Sequence, residues 1–156
     1  IDEFHTIMPQ MVGSAYRGLS EVMKPYLTVG DLHVIGATTE DEFRIYVAVD
    51  PAMDRRFQQV FLSVPNAQET LSILQALKGG YERHHGLTVS TEILEKIIDL
   101  TNRFLPRRNQ PDKSIVMMDG ACALQVMEKG DGGALTMEYV RKMISTECKL
   151  SPEALD

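Results

Sequence analysis

Val60-Phe61-Leu62-Ser63-Val64-Pro65-Asn66-Ala67-Gln68-Glu69 changes character at its proline. Up to Val64 it is a short β-branched and aromatic run, the texture of a buried strand. From Asn66 it reads as a capping box, with an amide side chain to accept a backbone N–H and Glu69 three residues on to reach back. Before this point the chain reads as mixed strands and helices, and after it as helices alone. The expected fold is therefore α/β plus all-α. Residues 1–64 are expected to be the C-terminal part of a parallel-stranded subdomain, 65–148 a small helical bundle and 149–156 a linker.

Toward the N-terminus, Leu32-His33-Val34-Ile35-Gly36-Ala37-Thr38 has the length and apolarity of a central parallel strand, with edges expected to be exposed. Gly30-Asp31 is a turn before it. Residues 16–27 predict a helix striped by Leu19, Val22 and Met23, with Pro25 near its end. Residues 4–14 have neither period and carry Pro9 and Gly13, which predicts a loop.

Toward the C-terminus the helical period recurs. Ile73, Leu74 and Leu77 stripe the helix opened by Asn66. Ser90 caps a second with Ile93, Leu94, Ile97 and Ile98 on one face. Pro111 is placed in the first turn of a third, in register with Ile115, Met118 and Cys122. After the turn Gly130-Asp131-Gly132-Gly133, Thr136 is read as the cap of a last helix striped by Tyr139, Val140, Met143 and Ile144. Four such faces make a bundle.

The chain has 156 residues, 44% of them apolar, and a net charge of −6. Its cations, among them Arg17, Lys24, Arg55, Arg56, Arg107, Arg108 and Lys113, are dispersed among acids, which argues against nucleic acid as a partner. Cys122 and Cys148 form no C-x-x-C pair and read as free thiols of a reducing compartment. No apolar run approaches a membrane span and no signal peptide opens the chain, so a cytoplasmic location is expected. His84-His85 lack a third soft ligand nearby and read as helix-end histidines rather than a metal site. The nine Met residues read as core filler.

The chemistry is carried by four features in order: Ile1-Asp2-Glu3, Thr38-Thr39, Arg55-Arg56 and Pro111-Asp112-Lys113. An Asp-Glu pair at a strand end can hold Mg²⁺ and polarise the water that attacks a γ-phosphate. No G-x-x-x-x-G-K-[ST] phosphate loop is present, so the chain reads as the back half of a nucleotide machine.

Ile1-Asp2-Glu3-Phe4-His5-Thr6, Gly36-Ala37-Thr38-Thr39-Glu40-Asp41-Glu42-Phe43-Arg44, Asp50-Pro51-Ala52-Met53-Asp54-Arg55-Arg56-Phe57 and Tyr81-Glu82-Arg83-His84-His85-Gly86 resemble the first AAA+ module of the Clp-type unfoldases ClpA, ClpB and ClpC. The resemblance runs over residues 1–122, from the Walker B strand end into the helical lid. It implies a large α/β subdomain and a lid, in a hexameric ring that uses ATP and Mg²⁺ to thread protein substrates, with a Clp-type protease as a further partner. By that resemblance Asp2 is the Mg²⁺ ligand through water and Glu3 activates the hydrolytic water. Thr38 is the sensor hydroxyl, with Thr39 its nearest rival. Arg55 and Arg56 are arginine fingers acting on a neighbouring subunit's nucleotide, a role suited to a planar permanent charge. Ile73 and Pro111 fall near the adenine, with Asp112 beside them and Lys113 near the phosphates.

The chain departs from the family at Val116 and at Asp119-Gly120-Ala121, where Gly120 is expected to weaken or kink the lid helix. Residues 8–18 correspond to a second pore loop but are bulkier than usual. Only about a dozen residues separate the lid helix from Leu135-Thr136-Met137-Glu138-Tyr139-Val140, so a ClpA-like arrangement without a middle domain is favoured. The alternative is a degenerate, non-catalytic scaffold of the same family, against which Glu3, Thr38 and both arginines argue. The isolated chain, without a phosphate loop, is expected to hydrolyse no ATP.

Overall fold

The computed structural model describes residues 1–151 and Ala154. Half of the expected linker 149–156, at positions 152, 153, 155 and 156, lies outside the described residues. The chain forms two compact units, Ile1–Phe61 and Leu62–Asp156.

The second unit is built from α4 (Ala67–His85), α5 (Thr91–Phe104), α6 (Asp112–Lys129) and α7 (Met137–Cys148). The capping box closes as read. Asn66 Oδ1 accepts the Glu69 N–H at 3.0 Å and Glu69 Oε2 accepts the Asn66 N–H at 2.8 Å. Ser90 Oγ likewise accepts the Ile93 N–H. Thr136 does not cap α7. Its N–H and hydroxyl donate instead to Gln125 Oε1 on α6, at 3.0 and 3.4 Å. Pro111 stands at the N-cap of α6 rather than inside its first turn.

Leu74, Leu94, Ile97, Met117, Met118, Tyr139, Val140 and Ile144 are fully buried in one cluster. Each such side chain contributes about 1.5–3 kcal/mol by leaving water. Leu77, read as part of a stripe, is exposed instead, and so is Met127 among the methionines read as filler. Cys122 and Cys148 are free. Burial pushes the Cys122 thiol up to about 11, which keeps it protonated and unreactive. The loops after α4 and α6 are joined where the Thr88 N–H donates to the Gly133 carbonyl and the Leu135 N–H to the Thr88 carbonyl, at 2.9 and 2.8 Å.

The first unit has its own small core of Phe4, Ile7, Met8, Met23, Val47 and Met53. Around it lie a 3₁₀ turn (Phe4–Ile7), α1 (Leu19–Val29), the one-turn α2 (Glu40–Glu42), a π-turn (Phe43–Val47) and the short α3 (Pro51–Asp54). Only Met23 of the predicted α1 stripe is buried, since Leu19 and Val22 face solvent.

The expected parallel-stranded α/β subdomain is not formed. Among the described residues the architecture is helical and there is no sheet. Residues 32–38 are extended but pair only briefly. The Ile1 ammonium donates to the Ile35 carbonyl at 2.7 Å, and the Ala37 N–H to the Ile1 carbonyl and the Phe4 N–H to the Ala37 carbonyl, both at 2.9 Å. The 3₁₀ turn then bends the first segment away. Residues 60–64 are in no ladder, and Val60, Phe61, Leu62 and Val64 are exposed. A strand is completed only by a neighbour, and apolar texture alone supplies none.

α6 passes through Gly120 without a break. A Cβ there would come within 2.7 Å of Met143 Cε and 2.9 Å of Met143 Sδ on α7, so the glycine makes room for a helix contact. Gly120→Val is expected to destabilise the second unit by about 1–3 kcal/mol through overpacking. Gly120→Ala should lie nearer neutral, because a helix-propensity gain of about 1 kcal/mol offsets the shift of a flexible methionine. Urea denaturation of both variants checks this, and a wild-type midpoint for Gly120→Val would contradict it.

Candidate functional site

In the first unit, the brief backbone pairing lays residues 1–4 alongside 35–37 and so brings Asp2 and Glu3 to the same end as Thr38. Gly36 makes the approach possible. A Cβ at that position would sit 2.6 Å from Phe4 Cδ2, so the Phe4 ring lies directly over the glycine. On its other side Phe4 meets Phe57 edge-to-face, with ring centroids 4.9 Å apart.

Glu3 itself is left-handed, with φ 49° and ψ 50°. A non-glycine residue held there carries backbone strain on the order of 1–3 kcal/mol. The Asp2 carboxylate is exposed, and its Oδ1 accepts the Glu3 N–H at 3.0 Å. A hard carboxylate open to solvent suits Mg²⁺, which keeps most of its waters. The Glu3 side chain is also largely exposed.

Two groups that sequence reasoning did not single out connect these residues. His5 is buried, with Tyr46 stacked on its ring at 5.9 Å. Its Nδ1 lies 2.9 Å from Thr38 Oγ1, and its Nε2 lies 3.6 Å from Glu3 Oε2. Thr38 donates its hydroxyl proton to Glu42 Oε2 at 3.3 Å, so its oxygen accepts from His5 Nδ1–H. Glu42 Oε2 also accepts from the Thr39 hydroxyl at 2.8 Å and from the Thr39 N–H at 3.3 Å. These bonds, with the Thr39 hydroxyl contributing most, hold the Glu42 carboxyl below the ordinary carboxylate range.

The two threonines are therefore unlike. Thr39 is the N-cap of α2, and Thr38 is bonded between a buried imidazole and a carboxylate. Both His5 and Glu42 lie in the motif strings already quoted, each within four residues of Asp2 or Thr38, and that adjacency was the available signal.

The carboxylate oxygens of Glu3 and Glu42 and a ring nitrogen of His5 lie within 4.8 Å of one another. The imidazole turns Nε2 to Glu3 and Nδ1 to Glu42. Each of the three offers one ligand atom; the hydrogen bonds present join His5, Thr38 and Glu42, while the Glu3 carboxylate, 3.6 Å from Nε2, stands beyond hydrogen-bond distance.

Arg55 and Arg56 end α3, exposed, and neither is joined by hydrogen bond or ion pair to the Asp2, Glu3 and Thr38 group among the described residues. Arg55 Nε donates to the Pro51 carbonyl at 2.9 Å. Arg56 donates to Thr28 Oγ1 and to the Ala52 carbonyl.

In the second unit, Ile73 is half-buried on α4, and Pro111 and Asp112 open α6. Lys113 is buried. Its Nζ donates to the Leu105 carbonyl at 3.3 Å, and burial holds its pKa below the usual lysine value. The neighbouring Gln110 amide donates to Thr101 Oγ1 and Asn102 Oδ1, which fastens the start of α6 to α5. His85 is tied to Asp119 at 2.6 Å, joining α4 to α6.

Residues 66–152 match the AAA lid domain family. The chaperone protein ClpB of Rhodopseudomonas palustris is 44% identical over 128 residues, covering 82% of this chain and 15% of the relative. ClpB of Agrobacterium fabrum is 39% identical over 155 residues, covering 99% of this chain and 18% of the relative. The Saccharomyces cerevisiae Hsp104–ADP complex superimposes with TM-score 0.83 and 31% identity, over 100% of this chain and 26% of that one. A closed-state reconstruction of Hsp104 with ATPγS and casein gives TM-score 0.83 and 32% identity, over 96% of this chain and 25% of that one. This chain thus spans less than a fifth of the length of these ClpB relatives.

Because its folded pKa is depressed, Glu42 adds stability above the ordinary carboxylate value of about 4.3, and that contribution is lost as pH falls through the lower folded value. Thr39→Val should return the Glu42 titration toward the ordinary range, and Thr38→Val should move it less. The stability gap between Thr39→Val and wild type should narrow in acid to the part that comes from the lost N-cap bond of the Glu42 N–H to Thr39 Oγ1. Carboxyl-carbon NMR titration of the three proteins tests the order, and equal shifts for the two valines would refute it.

Proposed function

The chain belongs to the AAA lid family, among the Clp and Hsp104-type AAA+ proteins, and on that premise we propose that it is the Walker B-to-lid portion of the first ATPase module of a protein unfoldase. The carrying observation is the placement of Glu3, His5, Thr38 and Glu42 at one end of the first unit, with the buried His5 ring 2.9 Å from the Thr38 hydroxyl and 3.6 Å from the exposed Glu3 carboxylate. A non-catalytic scaffold is the alternative, and the retained Glu3, Thr38, Arg55 and Arg56 argue against it.

In this reading the full-length protein hydrolyses ATP in a hexameric ring and uses the reaction to thread protein substrates, in the cytoplasm. The ATPγS, ADP and casein of the solved relatives support nucleotide and protein as its ligands. A Clp-type protease is a further partner proposed from the family alone. The short connection between α6 and α7, residues 130–136, supports an arrangement without a middle domain at that point.

Bound Mg²⁺, held through water by Asp2, would neutralise charge on the β- and γ-phosphate oxygens. Glu3 orients a water and accepts its proton as the water oxygen bonds to the γ-phosphorus and the bond to the β,γ-bridging oxygen breaks. Thr38 donates to that water or to a γ-oxygen once its hydroxyl proton turns away from Glu42, a 3.3 Å contact, while His5 holds its oxygen. Arg55 and Arg56, bound to neutral acceptors, carry charge to a neighbouring subunit's γ-phosphate. Ile73, Pro111 and Asp112 flank the base, and Lys113 reaches the phosphates once it leaves the Leu105 carbonyl.

In the full-length ring, Glu3→Gln and the double variant Arg55→Ala/Arg56→Ala should each bind ATP and lose turnover, by roughly 10²-fold or more. Mixed together they should regain hydrolysis, because a Glu3→Gln subunit donates intact arginines to the intact pocket of its neighbour. ATPase assays on rings shown to be mixed decide the matter. No activity above either variant would mean that the arginines do not act across the boundary.

A further inference from the structure

α1 is bolted to α3 at both of that short helix's ends. Lys24 Nζ lies 2.6 Å from Asp50 Oδ2, and both side chains are largely shielded from solvent. Asp50 Oδ1 meanwhile accepts the N–H groups of Ala52 and Met53 at 2.9 and 3.2 Å, so the ion pair grips the N-cap of α3. One turn further along α1, Thr28 Oγ1 accepts from Arg56 Nε at 2.9 Å and from Arg56 Nη2 at 2.7 Å. The Thr28 proton is committed to the Lys24 carbonyl at 2.8 Å, so only the oxygen's lone pairs face the guanidinium. Lys24 and Asp50 each move the other's pKa outward, the lysine up and the aspartate down, and both stay charged across the neutral range.

We propose that Lys24 and Thr28 are positioning residues for the Arg55–Arg56 pair: α1 fixes where α3 lies and the direction in which it presents the guanidinium groups. The proposal rests on the reading of these arginines as groups that act on a neighbour's nucleotide. A helix of one turn cannot hold its own axis, since nearly all its hydrogen-bonding groups are terminal. The Lys24–Asp50 contact fixes its start, and Thr28 holds the side chain at its end. Thr28 is suited to this because a neutral hydroxyl gives Arg56 up readily to a phosphate, whose charge-assisted bonds are stronger. A carboxylate at the same place would compete with the phosphate for the guanidinium.

The experiment uses the full-length ring. Thr28→Val keeps the side-chain shape and removes the acceptor, and Lys24→Met removes the charge that grips Asp50. Each should lower kcat on the order of tenfold, through misplacement, with the KM for ATP within about twofold of wild type. Thr28→Ser should restore kcat. Thr28→Asp should fall further than Thr28→Val, because it traps the guanidinium. The readout that a merely structural role would not move is mixing. As Glu3→Gln subunits replace Thr28→Val neighbours, turnover per Thr28→Val pocket should rise, since the incoming arginines are correctly held. Unchanged or falling turnover per pocket would place the defect in the variant's own pocket and overturn the proposal. The Arg55→Ala/Arg56→Ala variant, mixed in the same way, separates the two ideas. If it is rescued while Thr28→Val and Lys24→Met run at wild-type rates, the positioning proposal alone fails. If it is not rescued, the action of the arginines across the boundary fails and the proposal falls with it.

Discussion

An extended segment cannot satisfy its own backbone, and this constraint decides the form of the whole chain. A helix closes its N–H and C=O groups within itself, whereas a strand needs a neighbour or water. Among the described residues, the backbone of 32–38 finds a neighbour only in Ile1 and Phe4, and that of 60–64 finds none, and the apolar side chains Val60, Phe61, Leu62 and Val64 are exposed. α4 to α7 meet the requirement internally and spend their side chains on packing. Apolar content therefore builds a core in the second unit, and in residues 60–64 it does not.

The brief pairing that does form has consequences at the site. It requires residues 1–4 to run beside 35–37, and the chain permits this only because position 36 has no side chain under the Phe4 ring. With Phe4 seated, Phe57 rests against its edge and Met53 is buried beside them, so the end of α3 is placed by the same contact that aligns Glu3 with Thr38. Gly36 is thus a geometric requirement of the site, although it bears no functional group. The strained backbone of Glu3 is a second consequence, since the chain must turn sharply there to enter the 3₁₀ turn that buries Phe4 and Ile7.

Signals that depend on local chemistry were legible in the sequence. The Asn66–Glu69 capping box, the Ser90 cap and the faces carrying Leu94, Ile97, Met118 and Val140 all formed as read, because each is decided within a few residues. Signals that depend on a partner were not. Thr136 stands at the cap position, but its hydroxyl turns to Gln125 Oε1 from α6 and accepts no helix N–H, and nothing local reveals that. The run 32–38 has the texture of a central strand, and texture does not specify a neighbour. Within the candidate site, Thr38 is assigned by resemblance with Thr39 as its rival, and the structure distinguishes their surroundings, since Thr39 caps α2. Thr39 with Glu42 three residues on was present in the sequence, so the α2 capping box was readable from a pattern used elsewhere in the chain. His5 belonged to a quoted motif, but its burial between Thr38 and Glu3 follows from the Phe4–Gly36 contact and could only be seen in three dimensions.

The cations of the first unit divide by what holds them. Lys24 sits on the carboxylates of Glu21 and Asp50, and in the second unit Lys142 sits on those of Glu128 and Glu138. Such pairs are neutralised in place, and removing one partner leaves a charge without its counterion. Arg55 and Arg56 are held by the Pro51 and Ala52 carbonyls and the Thr28 hydroxyl, all neutral. Neutral acceptors fix direction without cancelling charge, so the full guanidinium field stays available at the unit's surface. A group meant only to hold the fold gains from a carboxylate partner. Arg17, whose Nε donates to the Pro9 carbonyl, is held in the same neutral way, so it is the action on a neighbour's phosphate proposed above, and not the acceptors alone, that sets Arg55 and Arg56 apart.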